Sequence, residues 1–87
     1  MDDRTRREQA VQMLTALVDA CEGEVALNCC GILRAYSDEA MNLWLHLEDG
    51  RTRVSPEEVE ARALEEAIYQ WRGRNALLFQ RILGAMM

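Results

Sequence analysis

The segment Val54-Ser55-Pro56-Glu57-Glu58-Val59 carries a complete set of helix-start signals. Ser55 suits the N-cap, Pro56 suits the first helical position, and Glu58 can reach back to Ser55 to close a capping box. Val54 and Val59 stand at the two positions of a hydrophobic staple. From this start Leu64, Ile68, Trp71, Leu78 and Ile82 recur at helical spacing, which predicts a helix over 56–83. The position missing from the rhythm is Asn75. A polar residue in an apolar seam often fixes the register or copy number of paired helices. The seam is therefore expected to face another helix, with Asn75 specifying the pairing.

Upstream, Thr5 and Glu8 repeat the capping-box pattern, and Val11, Leu14, Val18 and Cys21 follow the helical period, with Met13 and Leu17 widening the stripe. This predicts a helix over 5–22, stopped by Gly23. A further stripe, Val25, Cys29, Ile32, Tyr36, Ala40, Leu43, Leu47, repeats about every 3.67 residues, the period of a straight or slightly right-handed helix. The Ser37-Asp38-Glu39 sequence offers a second N-cap within it, but continuity of the stripe favours one helix over 24–48, ended by Gly50. Gly73 inside the last helix marks a kink or a close crossing. One proline and abundant Ala, Leu, Glu, Arg and Met agree with an all-α chain of three helices. The expected architecture is an N-terminal helix laid on a long αα-hairpin, half of a dimeric helical bundle.

At 87 residues the chain is a single domain, 1–87, and the last dozen positions stay apolar through Leu77, Leu78, Phe79, Ile82, Leu83, Met86 and Met87. A short chain with more apolar surface than it can cover often covers it with a second copy, so a homodimer is expected. The net charge of −5 argues against a broad footprint for nucleic acid or anionic lipid. No apolar run approaches a membrane span, the N-terminus lacks a secretory signal, and the three cysteines are odd in number, which together point to the cytoplasm.

No pattern for chemistry emerges. His46 is the single histidine, and Leu43 stands where a Glu-x-x-His metal motif needs its acid. Cys21, Cys29 and Cys30 lack zinc spacing. Cys30, off the stripe with Arg34 one turn along, is the one candidate reactive thiol. Arg4, Arg6 and Arg7 oppose the dipole of the first helix and are candidates for a partner contact. No catalytic residue, cofactor or metal is expected.

The sequence is best read as a non-enzymatic protein–protein interaction module, an adaptor, regulator or inhibitor that works by occupying a partner surface. Trp44, Leu64, Ile68, Trp71, Asn75, Leu78 and Ile82 are the expected partner or dimer interface, since large apolar side chains dominate binding energetics. Glu57, Glu58, Glu65 and Glu66 form an expected acidic docking face. The alternative is a helical pocket protein that holds a small ligand or nucleotide through Arg72, Arg74 and Asn75.

Overall fold

A computed structural model describes residues 2–86; Met87, the end of the apolar tail, lies outside the described residues. Helix α1, Asp3–Ala20, leads into three strands, β1 Glu24–Cys29, β2 Ile32–Ser37 and β3 Leu43–Leu47. A single 3₁₀ turn, Pro56–Glu58, then precedes helices α2, Ala61–Arg74, and α3, Ala76–Met86. The chain is thus α+β. The all-α bundle and the helix expected over 24–48 are both overturned by this antiparallel sheet.

Helix α1 follows the sequence closely. Asp2 caps it, with Thr5 N–H donating to Oδ1 at 2.8 Å, so Asp2 takes the capping role expected of Thr5. Ala10, Leu14, Leu17 and Val18 make its buried stripe. At its end Gly23 N–H donates to Val18 O at 2.8 Å and Glu22 N–H to Asp19 O at 3.3 Å, the paired bonds of a Schellman motif. The left-handed C′ position, φ 62°, falls on Glu22, and Gly23 after it also has a positive φ, 101°.

The sheet has the order β1-β2-β3, and both pairings are antiparallel. Val25 and Leu27 point into the core from β1 while Glu24, Ala26 and Asn28 stay exposed, the two-residue period of a half-buried strand. In β2 the buried residues are Ile32 and Ala35, three apart. That offset is odd, so a regular strand would send them to opposite faces. A break in register between Ile32 and Arg34 restores both to the inner face. The same bulge explains the helical appearance of the sequence stripe. Chain beyond β3 turns back along its outer edge, where Val54 and Leu45 exchange backbone hydrogen bonds of 2.8 and 3.0 Å. An edge covered in this way is closed to further pairing.

The helix expected over 56–83 is broken twice. The capping box at Ser55 forms, with Ser55 N–H donating to Glu58 Oε2 at 3.0 Å and Glu57 N–H to Ser55 Oγ at 3.2 Å. It starts only one turn, because Val59 and Glu60 return to extended backbone before α2 begins. The second break is at Asn75, φ −133° and ψ 45°. Its side-chain amide donates to Trp71 O at 2.9 Å and its carbonyl accepts from Phe79 N–H at 2.8 Å, so it closes one helix and opens the next. Gly73 has no atom within 4 Å of where a Cβ would stand, so no close crossing requires it.

The core lies between the inner sheet face and α1 and α2, around Leu14, Leu17, Leu27, Ile32, Leu45 and Leu64, none more than 1% exposed. Helix α3 adds Phe79 and Ile82 at one side of it. No described helix is long and apolar enough to cross a membrane.

Candidate interaction site

Helix α3, Ala-Leu-Leu-Phe-Gln-Arg-Ile-Leu-Gly-Ala-Met, has only Gln80 and Arg81 as polar residues. A helix apolar most of the way round needs cover on most of its circumference. The chain supplies one side, where Phe79 and Ile82 are buried and Leu83 is half-buried. The other side is open: Leu77 is 79% exposed and Leu78 36%. On α2, Tyr69 is 64% exposed. It shares a groove of about 540 Å³ with Gly73, Ala76, Phe79, Gln80 and Leu83. Arg72 stacks over Phe79, its guanidinium carbon 5.0 Å from the ring centre, and closes one side of this groove.

The residues expected to form an interface are divided by the fold. Leu64, Trp71 and Ile82 are buried in the chain's own core, and Ile68 packs against it half-buried. Asn75 is the helix junction, and Leu78 faces outward. Trp44 lies on the opposite side of the molecule, on the outer sheet face, paired across the strands with Tyr36. Its indole N–H donates to Asp38 Oδ2 at 2.9 Å, and the Arg53 guanidinium lies 4.3 Å from its ring centre. Asp38 also accepts from the backbone N–H groups of Ala40 and Asn42, each at 2.9 Å, which holds the β2–β3 loop. The Trp44 indole, followed by the Asn42 amide, holds the Asp38 carboxyl below its usual range. Trp44 therefore belongs to a satisfied local network rather than to an open apolar patch.

The acidic residues are likewise dispersed. Glu58 is used by its capping box and Glu57 is exposed beside it. Glu65 forms a two-pronged ion pair with Arg6 of α1, Nε to Oε2 at 3.2 Å and a shorter second contact through Nη2. Hydrogen bonding and charge from Arg6 lower the Glu65 pKa, and those from Glu65 raise the Arg6 pKa. Glu66 accepts from Gln70 Nε2 at 2.9 Å. The basic N-terminus is also engaged: Arg4 pairs with Glu8 at 3.4 Å, and Arg7 donates to Val59 O at 2.9 Å. The expected ligand set is divided too. Arg74 donates to Leu27 O at 2.7 Å at the edge of β1, Asn75 is turned to Trp71 O, and Arg72 covers Phe79.

His46 accepts from Arg34 Nε at 3.2 Å, and Arg34 also pairs with Glu24 at 2.9 Å, so this histidine belongs to an outer-face ion network. Among the described residues no group of three or more His, Cys, Asp or Glu is placed to hold a metal ion. The sequence places Leu77 in the apolar tail but not among the expected interface residues, and it gives Tyr69 no role, although an α3 with two polar residues in eleven was visible. No known protein family, curated protein or solved structure matches this chain.

Proposed function

We propose that this chain is a protein–protein interaction module that works by presenting and occupying surfaces, and that its first partner is a second copy of itself. The observation that carries the reading is the exposed side of α3, where Leu77 stands 79% exposed on a helix with almost no polar residues. Solvent-accessible area supports it. The chain exposes 5718 Å², whereas a compact monomer of 10.0 kDa exposes about 5,200 Å². A twofold pairing of α3 would bury Leu77 and Leu78 of both copies, with Tyr69 at the rim, and close the cycle without exposing a new patch. Dimerisation would leave the outer sheet face and its charged rim open to a different protein, the role of an adaptor or regulator. Three free thiols agree with a reducing compartment such as the cytoplasm.

Amide hydrogen exchange at two protein concentrations tests this reading. Exchange in α3 should slow as concentration rises, while the Leu27 and Leu45 amides, already in the core sheet, should not respond. An α3 that exchanges at one rate throughout the concentration range counts against self-association through this helix.

A further inference from the structure

Consecutive residues of a β-strand point to opposite faces of the sheet. Cys29 and Cys30 do not. Cys29 ends β1 opposite Ile32, and Cys30 and Gly31 form the two-residue hairpin turn between them. Both turn residues have positive φ, 56° at Cys30 and 79° at Gly31. That is the pattern of a type I′ turn, where Asn-Gly is the favoured pair and a cysteine is disfavoured. Asn28, φ 50°, adds a bulge just before it. The combined distortion brings the two sulfurs to 3.4 Å from each other. Glu48 N–H donates to Gly31 O at 2.8 Å and ties the tip to the end of β3, so the pair is held on a fixed turn. Cys30 is exposed and Cys29 half-buried, and both open on a shallow cleft of about 230 Å³ beside Leu33 and Glu48.

We infer that Cys29 and Cys30 form a chelating dithiol site for trivalent arsenicals. Two soft sulfur donors select a soft, thiophilic centre. Ligand number decides which kind. Zinc requires four ligands in a tetrahedron, with sulfurs about 3.8 Å apart, and no third donor group is assembled around these thiols among the described residues. A monosubstituted trivalent arsenic needs only two more bonds, and its pyramidal geometry, with angles nearer a right angle, draws its sulfurs closer together. The Cys30 thiol is also poorly suited to nucleophilic work. Its hydrogen bond with Cys29, then burial and the Cys29 and Glu66 charges, keep the Cys30 thiol above its usual range. Chelation does not require a standing thiolate. With phenylarsine oxide, present in water as its dihydroxide, two As–O and two S–H bonds break and two As–S bonds form. Both hydroxyls leave with the thiol protons as water, and arsenic remains trivalent, so no oxidant or reductant takes part.

The test uses the reduced full chain with phenylarsine oxide in the presence of glutathione, read by intact mass. The second As–S bond forms at an effective concentration in the millimolar range or above, so about 1 mM glutathione should strip single-thiol adducts and leave the chelate. Wild type and Cys21→Ser should each retain one phenylarsenic group, released by 1,2-ethanedithiol, while Cys29→Ser and Cys30→Ser should lose it. Equal retention by either serine variant, or loss in Cys21→Ser, overturns the assignment. Alkylation of the loaded wild type gives a reading that does not depend on any variant. Cys29 and Cys30 should resist iodoacetamide while Cys21 labels at its unloaded rate. Unchanged labelling at Cys29 and Cys30, or displacement of the arsenical by equimolar zinc chloride, overturns the proposal.

Discussion

Leu27→Ala separates a strand from a helix in the middle of this chain. In the sheet Leu27 is completely buried, two residues after Val25 on the same face of β1. On a helix carrying the Val25–Cys29–Ile32 stripe, Leu27 would lie about 200° round from Val25, on the solvent side, and its truncation would change little. Removing three buried carbons costs about 2.4 kcal/mol by transfer alone. The cavity left between sheet and helices raises this to about 3–4 kcal/mol. Unfolding entropy near 2.1 cal/mol/K per residue, over 87 residues, gives about 0.18 kcal/mol/K, so a loss of 3 kcal/mol lowers Tm by about 16 °C. Urea titration followed by circular dichroism, at one fixed protein concentration, measures the change directly. Met41→Ala, at a loop residue 67% exposed, should stay within about 0.5 kcal/mol. A Leu27→Ala loss below about 1 kcal/mol would refute the placement of this residue in the sheet core.

Three other outcomes follow from the same geometry. Glu22→Gly, at the left-handed end of α1, should raise stability by about 0.5–1 kcal/mol, since relief of the Cβ clash exceeds the added freedom of the unfolded chain; a thermal melt that falls instead contradicts the Schellman geometry. Asp38 has a folded pKa below its ordinary 3.8, so its contribution is present above that pH and is lost as pH falls through the folded value. Asp38→Asn should therefore melt below wild type at neutral pH and converge with it in acid, and a gap that persists at the lowest pH refutes this. Leu77→Arg should leave the fold intact and abolish self-association, read by circular dichroism together with sedimentation velocity.

Some of this was legible in the sequence for sound physical reasons. Helix α1 has a broad apolar stripe and a strong stop at Gly23, and both operate locally. The Ser55–Glu58 capping box is also local, and it forms as drawn. What it could not specify was how far the helix would continue, because Val59 and Glu60 leave helical backbone to route the chain under the sheet. The strands were hidden by composition and by one bulge. Segment 24–47 has only Val25 and Ile32 as β-branched aliphatics, in a chain rich in helix formers. The bulge sets Ile32 and Ala35 three apart. Signals for the sheet were nevertheless present. Branched aliphatic residues recur at every second position in Val25-Ala-Leu27 and Leu43-Trp-Leu45-His-Leu47, and Cys30-Gly31 and Asp38–Asn42 punctuate them at hairpin spacing. Asn75 was noticed as an interruption, but the same polar residue serves a helix junction as readily as a helix pair. Of the candidate site, Leu77 and Leu78 were visible from the apolar tail. Leu64 and Trp71 could be separated from it only once the sheet was known to cover them.

The account rests on an α3 surface that a second copy covers, and the direct measurement is absolute mass by light scattering across a dilution series, on wild type and Leu77→Arg side by side. The expected result is twice the 10.0 kDa chain mass for wild type at high concentration, shifting toward the chain mass on dilution, with Leu77→Arg at the chain mass throughout. A wild type that remains a monomer at every concentration, or a Leu77→Arg dimer indistinguishable from wild type, would contradict it.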